Sequence, residues 1–270
     1  MTTILRPLST SELLDRTFHL YRNNFVVFFA VVAIPQLAVL ALQLFFAGTV
    51  LGNSARALGL WILPLSLVGF VCIEVSHAAT VFAVSNLHLD RPVQIGAAFE
   101  AVRGSILRVV GVAFAVSLIA GLGFMLMIVP GIYWALKYGL AIPVTVLEGT
   151  GLRGTLSRSA NLTKGDRGRI FVTYLLLLVL NLAVNASIQF AFGLGVPFIR
   201  HPQVTFTFSR FALTALSGFI TSSLVGPLLT IALTLIYYDQ RVRKEGFDLQ
   251  LMMATLQPES SPSAQAAPAS

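Results

Sequence analysis

The sequence predicts an all-α, polytopic membrane protein with six transmembrane helices arranged as three hairpins, each preceded by an amphipathic interfacial helix. Hydrophobic residues make up 56% of the 270-residue chain and charged residues only 11%, whereas a typical soluble domain has about 25% charged residues. Apolar runs of about 20 residues, the length needed to cross a bilayer, recur along the chain. Lysine and arginine concentrate in every second connection between these runs, which is typical of cytoplasmic loops.

Six apolar runs predict the membrane spans, which occupy residues 24–46, 58–87, 106–129, 131–147, 170–196 and 211–238. With their connections they form a single integral membrane domain over residues 1–257. The third run is rich in glycine and alanine, which allow close helix packing, so we expect it in the bundle interior. Pro130-Gly131 predicts the turn into the fourth span. Residues 258–270 are mainly Pro, Ser, Ala and Gln, a composition that predicts a disordered tail.

Three amphipathic segments precede the predicted hairpins. Ser9 and Glu12 have the spacing of a capping box, which predicts the start of the first helix. Each segment has an apolar stripe at helical spacing, as in helices that lie in the membrane interface. The stripes consist of Leu14, Phe18, Tyr21 and Phe25; of Ile95, Phe99, Val102 and Ile106; and of Leu152, Leu156 and Ala160. The recurrence indicates either a threefold internal repeat or the ordinary rhythm of a protein built from membrane hairpins.

The distribution of cations predicts that both termini are cytoplasmic. Arg56, Arg200 and Arg210 fall in predicted outer loops, and Lys137 falls inside a span. The other 14 cations fall in predicted inner segments: Arg6, Arg16, Arg22, Arg91, Arg103, Arg108, Arg153, Arg158, Lys164, Arg167, Arg169, Arg241, Arg243 and Lys244. Cations beside membrane exits attract anionic lipid. We therefore expect lipids as partners, and no nucleic acid, despite the net charge of +7.

Three stretches of the sequence resemble a known family. They are YWALKYGLAIPVTVLEG followed by LSRSANLTKG, the C-terminal IYYDQRVRKEGFDLQLM, and the N-terminal LSTSELLDRTFHLYRNNF. Together they resemble bacterial multi-pass proteins related to the glycerophosphoryl diester phosphodiesterase membrane domain. The resemblance covers nearly the whole chain short of the tail, and it implies residence in the bacterial cytoplasmic membrane. We do not carry over a phosphodiesterase activity, because the membrane spans leave no room in this sequence for the soluble catalytic barrel.

Polar side chains within the predicted spans form a candidate midplane cluster. Glu74 and His77 lie three residues apart and therefore share one helix face. Gln36, Asn181 and Asn185 fall at similar depths, about 16 Å from the inner end for the first two. A carboxylate and an imidazole at membrane depth are typical of proton-coupled transport. The other interpretation is a polar belt that stabilises the bundle through interhelical hydrogen bonds.

Lys137 is a cation within the fourth predicted span. Its position predicts that the side chain extends to the outer headgroups beside Tyr133, Trp134 and Tyr138. A salt bridge with Glu74 and a contact with an anionic headgroup are the two alternatives.

The segment after the fourth span has the densest cluster of cations in the sequence. Its members are Arg153, Arg158, Lys164, Arg167 and Arg169. Seated at the interface by its apolar stripe, this segment predicts the main contact with anionic lipid headgroups. The alternative is that these cations only set the membrane topology.

The sequence lacks the residue spacings that predict an enzyme. The four histidines are dispersed without a metal-binding spacing, at His19, His77, His88 and His201. Ser157, Ser159 and Thr163 have no nearby histidine base, and we expect them on a helix surface. Cys72 is the only cysteine, so no intrachain disulfide can form. We predict no enzymatic activity and no cofactor or metal, but a lipid-interacting or scaffolding role with unidentified protein partners, or alternatively transport of a small solute or lipid.

Overall fold

The computed structural model describes residues 9–50, 55–88, 91–194 and 207–246, and every element in these ranges is an α-helix. The helices are α1 (Thr10–Asn23), α2 (Phe25–Val50), α3 (Ala55–His88), α4 (Ile95–Arg103), α5 (Ile106–Leu126), α6 (Ile128–Lys137), α7 (Ala141–Glu148), α8 (Leu152–Thr163), α9 (Arg167–Ala191) and α10 (Phe208–Glu245). The all-α prediction is confirmed. The predicted tail at 258–270, Arg6 and Arg200 lie outside the described residues.

Five of the described helices are long and apolar enough to cross a membrane: α2, α3, α5, α9 and α10. They correspond to the first, second, third, fifth and sixth predicted spans. The fourth predicted span, 131–147, is not a single helix, because its residues divide between α6 and α7.

The last long helix, α10, forms the centre of the bundle. In its most apolar stretch 61% of the residues are buried, against 22% in that of α5. The main hydrophobic core gathers around Leu228, Ile231 and Leu235 of α10. Our expectation that the third span lies in the interior was therefore wrong: Gly123 packs against α6, but Gly111 and Gly121 are exposed.

Small hydroxyl side chains allow neighbouring helices to approach α10. Ser217, Thr221, Thr230 and Thr234 are all buried. The hydroxyl of Thr234 donates to the carbonyl of Thr230, 2.7 Å away, so its polarity is satisfied within the helix. These side chains therefore behave as small packing groups, as they do in other membrane helices.

The first helix forms as the sequence predicts. The Ser9 hydroxyl accepts from the backbone N–H of Glu12 at 3.3 Å, and the Glu12 carboxylate accepts from the backbone N–H of Ser9 at 2.8 Å. Both bonds of the capping box are thus present, which satisfies two of the donors left open at a helix start.

α1 runs antiparallel to the C-terminal part of α10. The carbonyl of Ser9 and the carboxylate of Asp239 both contact Arg169, and at the other end the Tyr21 hydroxyl donates to the carbonyl of Leu224 at 2.7 Å. Burial raises the pKa of Tyr21 to about 12, so its phenol remains a donor. From Leu224 to Asp239 the helix rises about 22 Å, which matches the length of α1.

Two of the amphipathic helices, α1 and α8, use a second face to pack on protein. In α1, Leu13 and Thr17 are fully buried, while Phe18 of the predicted stripe is 44% exposed. In α8, Thr155 and Ser159 are fully buried, while Leu152 of the stripe is likewise 44% exposed. The stripes of α1 and α8 therefore remain partly free, and the neighbouring faces hold these two helices on the bundle. In α4 the predicted stripe itself packs on protein, since Val102 is 2% exposed and Ile95 and Phe99 pack against the same core cluster.

α6 and α7 together return along α5. α5 ends at Leu126, the extended backbone of Met127 makes the turn, and Pro130 lies in the first turn of α6. At the other end, an Nη of Arg108, near the start of α5, donates to the carbonyl of Gly149 just after α7, at 2.6 Å. α6 and α7, which we call the broken pair, therefore together cover the same distance as α5 in the opposite direction.

Pro143 accounts for the break between α6 and α7. In a continuous helix its ring would collide with the carbonyl of Gly139, and Gly139 would lose its hydrogen-bond donor. The chain leaves the helical path at Tyr138–Leu140, and Pro143 then occupies the first turn of α7, where proline is tolerated. Hydropathy alone does not predict this break, because Pro143 lies within an otherwise apolar run.

The hairpin between α5 and α6 depends on two glycines that face each other. A Cβ at Gly123 would lie 2.8 Å from the Cα of Gly131, and a Cβ at Gly131 would lie 2.8 Å from the backbone nitrogen of Phe124. Backbone atoms cannot move aside as a flexible side chain can. Both positions therefore require glycine for the helices to approach this closely.

We expect Gly131→Ala to lower the free energy of unfolding by about 1–3 kcal/mol, because the added methyl group overpacks the crossing. Denaturation of the purified protein in mixed micelles, followed by circular dichroism, measures this change. Gly121→Ala is the matched control, since a Cβ there meets nothing within 4 Å. Equal stability of the two variants would contradict the close glycine contact.

Candidate functional site

The predicted midplane cluster divides among three places. Glu74 and His77 lie together on α3, and Asn181 lines a cavity with His77. Gln36 lies elsewhere, in a cavity of about 290 Å³ between α2 and α10. The amide of Asn185 donates to the hydroxyl of Thr221 on α10 at 3.3 Å. Convergence of all five side chains was therefore a wrong prediction: Gln36 and Asn185 face other neighbours.

Two adjoining cavities surround His77. The larger, about 560 Å³, lies between α3, α6, α9 and α10, and the smaller, about 250 Å³, reaches Glu74. They share four lining residues: His77, Ala135, Tyr174 and Leu229. Tyr138 and Gly139, at the break after α6, line the smaller cavity. Irregular backbone at membrane depth is typically found where it borders a cavity.

Glu74 has an unused acceptor next to His77. Nδ1 of His77 lies 3.5 Å from Oε2 of Glu74, within ion-pair range, yet that oxygen is buried and accepts no hydrogen bond from the described residues. The Glu74 side chain is 10% exposed, whereas that of His77 is 36% exposed. A polar group that enters the smaller cavity can therefore contact the pair through the more accessible His77.

The backbone of Lys137 contacts α8, and its side chain lies beside Tyr138. Its carbonyl accepts from the hydroxyls of Ser159 and Thr163, at 3.2 and 3.1 Å. Its ammonium is 5.2 Å from the centre of the Tyr138 ring. The ammonium thus lies beside one of the predicted aromatic neighbours, and its extension to the outer headgroups stays a prediction. Ser159 and Thr163 are fully buried, so the prediction that they lie on a helix surface was wrong.

Arg158 joins three helices at the charged end of the bundle. Its Nε donates to both carboxylate oxygens of Glu148 at 3.0 Å, and an Nη donates to Glu245 at 2.8 Å. Tyr237 also donates to Glu148, at 2.8 Å. Hydrogen bonds to Glu245 and Glu148 raise the pKa of Arg158, which keeps the guanidinium charged. α7, α8 and α10 are linked by this network.

Asp239 is the most deeply buried acid of the same end. Its side chain is fully buried, and Oδ2 lies 2.5 Å from Nη1 of Arg169 and 2.9 Å from Nε of Arg243. Arg169 reaches the carbonyl of Ser9 as well, at 3.4 Å. This pair therefore connects α9, α10 and the start of α1.

Lys244 completes the attachment of α8. Its Nζ donates to the carbonyls of Asn161, Leu162 and Lys164, at 3.0, 2.8 and 2.6 Å. These carbonyls are at the C-terminal end of α8, where the helix lacks its own donors and its dipole favours a cation.

The five cations predicted to contact lipid have different environments. Arg158 and Arg169 are occupied by acids of the chain. Arg167 lies over the ring of Tyr133, 4.6 Å from its centre. Arg153 and Lys164 are exposed, and no described acid lies within ion-pair distance of either side chain. The lipid contact remains a prediction for these last three residues.

The pairing of the acids at the helix ends did not follow from the sequence. Glu148 and Asp239 lie at the ends of the fourth and sixth predicted spans, and an arginine follows each within a few residues. In the structure Glu148 pairs with Arg158, and Asp239 pairs with Arg169 and Arg243. The spacing from Asp239 to Arg243 is a helical i, i+4 pair and was visible in the sequence. The pairings between helices were not.

Comparison with known proteins gives one family. A family model described as the membrane domain of glycerophosphoryl diester phosphodiesterase matches residues 109–264, more than half of the chain. The match covers the cations of α8 and α9 and the broken pair α6 and α7, whereas Glu74 and His77 precede it. No curated protein and no solved structure matches the chain.

We expect Asp239→Asn to destabilise the protein by about 3 kcal/mol, because a neutral amide leaves two guanidinium groups at this position without their counter-ion. Chemical denaturation in micelles measures the loss. Glu100→Gln, on the exposed side of α4, is the control and should change stability by less than about 0.5 kcal/mol. A similar effect of the two substitutions would contradict the role of Asp239.

Proposed function

The chain belongs to the family of the glycerophosphoryl diester phosphodiesterase membrane domain, and on this basis we propose a non-enzymatic membrane protein that contacts anionic lipid at its cytoplasmic end. The observation that carries the proposal is that the acids at this end are paired within the protein, whereas two of its cations are exposed and have no described acid nearby. The acids Glu148, Asp239 and Glu245 are taken up in ion pairs, while Arg153 and Lys164 are exposed. Anionic headgroups are the natural counter-ions for such cations beside a bilayer.

We further propose six crossings with both termini in the cytoplasm of a bacterial cell. Two contacts support an even number of crossings. Arg169 touches both Ser9 and Asp239, so the first and last described helices have these ends on the same side. The contact of Arg108 with Gly149 supports α6 and α7 as one broken crossing. The excess of cations at this end then favours the cytoplasm.

Alkaline phosphatase fused after Lys244 should be inactive in cells, because the enzyme folds only outside the cytoplasm. A fusion after Leu194, at the opposite end of α9, is the positive control and should be active. The reverse pattern would overturn the orientation, and activity at both positions would overturn the even number of crossings.

Replacing Arg153 and Lys164 together by Gln should lower the amount of co-purified phosphatidylglycerol and cardiolipin, measured by mass spectrometry. Each cation near a membrane surface contributes about 1 kcal/mol, or roughly a fivefold change in affinity. Arg158 is left intact because its loss would break the network with Glu148. Arg210→Gln, in a predicted outer segment, is the control. An unchanged lipid profile of the double variant would contradict the proposed contact.

Transport is a second candidate function, and the unused carboxylate oxygen of Glu74 favours it. That oxygen, the neighbouring His77 and the break after α6 together resemble the polar, discontinuous sites of secondary transporters. The double variant Glu74→Gln with His77→Gln, purified in the same way, distinguishes transport from lipid binding alone. A transporter reconstituted in vesicles loses proton-coupled flux with this pair, whereas a purely lipid-binding protein keeps its lipid profile and shows no flux in either form.

A further inference from the structure

One face of α9 leads from the larger cavity to a cation. Phe171, Tyr174, Leu178 and Asn181 line the cavity at spacings of three and four residues, so they share one side of the helix. Arg167 precedes Phe171 by four residues and continues the same face by one turn. Along α9, the cavity therefore has a polar group, Asn181, at one end and a guanidinium, that of Arg167, beyond the other.

Arg167 is held at this place by α6. Its guanidinium carbon lies 4.6 Å from the centre of the Tyr133 ring, and Tyr133 adjoins Ile132, which lines the cavity. Nε of Arg167 is buried and has no hydrogen-bond partner among the described residues. Arg167 thus bridges α6 and α9 with a donor still available.

The cavity has the size and lining of a site for an apolar chain. Its volume of about 560 Å³ falls within the range of about 300–1,000 Å³ common for ligand sites. Apart from His77, Tyr174 and Asn181, its lining is apolar. Leu175 and Leu178 are 45% and 53% exposed, so the cavity borders the surface that faces the hydrocarbon.

We propose that the larger cavity binds an acyl chain of an anionic phospholipid along the part between α6 and α9, which we call the groove. The phosphate of that lipid lies on Arg167. A guanidinium with a free donor matches a phosphate oxygen, and a charge-assisted bond of this kind is stronger than a neutral one. The apolar cavity next to it accepts the chain. The inference rests on the proposed lipid contact and adds one specific, partly buried site to the exposed cations of α8.

The test uses the full chain reconstituted with phosphatidylcholine and phosphatidylglycerol, then extracted into detergent at high salt. Native mass spectrometry counts the phosphatidylglycerol that stays bound. High salt screens exposed charges but weakens a partly buried contact much less. Retention at high salt therefore reports the groove, and the additional retention at low salt reports the exposed cations.

Leu178→Trp fills the cavity, and Leu182→Trp is its matched control: the two leucines are 53% and 59% exposed on the same helix, and only Leu178 lines the cavity. Arg167→Gln removes the phosphate partner, with Arg210→Gln as the control for charge. We expect Leu178→Trp and Arg167→Gln each to lower retention at high salt by about fivefold or more, and the two controls to keep it. Ile132→Phe replaces Leu178→Trp if the latter does not yield a monodisperse protein.

Equal retention of phosphatidylglycerol by Leu178→Trp and Leu182→Trp would overturn the proposal that an acyl chain binds in the groove. Loss with Leu178→Trp but not with Arg167→Gln would overturn the assignment of the phosphate, and with it the proposal. If only the double replacement of Arg153 and Lys164 lowers binding, and only at low salt, the groove is overturned while the proposed lipid contact stands.

Discussion

The arrangement of the helices depends on the compensation of one buried carboxylate, that of Asp239. A buried charge is tolerated only when opposite charge lies next to it, and removing either partner leaves the other uncompensated. Asp239 on α10 is met by Arg169 from α9, which also reaches the carbonyl before α1. Because the acid cannot move away from its partner, the ends of these helices are fixed relative to one another. The network of Glu148, Arg158 and Glu245 fixes α7 and α8 to the same central helix.

The positions of the two cavities around His77 follow from this arrangement of helices and from the break between α6 and α7. α9 is joined to α10 at Arg169 and again where Asn185 meets Thr221. Between these two points α6 covers only part of α9, since it ends at Lys137 against α8. A continuous helix over residues 131–147 would place regular backbone where Tyr138 and Gly139 now border the smaller cavity. Pro143 prevents that helix, and it therefore accounts for the irregular backbone that borders the smaller cavity.

The cations of the basic segment show that one residue pattern can serve three purposes. Arg158 and Arg169 hold helices together, Arg167 lies on an aromatic ring beside a cavity, and Arg153 and Lys164 face outwards. A count of positive charge supports the orientation of the protein in the membrane. It does not distinguish a cation that fixes the fold from one that is available to lipid, because this depends on where the acids of other helices are.

The sequence by itself determined the features that depend on neighbouring residues. Hydropathy placed the five long helices, the spacing of Ser9 and Glu12 placed the start of α1, and the proximity of Glu74 to His77 followed from one turn of helix. Tertiary structure decided which helix is central, that Asn185 faces Thr221, and that Asp239 pairs with Arg169, 70 residues away. The fourth predicted span consists of two helices instead of one, because Pro143 interrupts an otherwise apolar run. The physical reason for the division is range: helix periodicity and capping act within a few residues, whereas ion pairs and cavities depend on which distant segments the fold brings together.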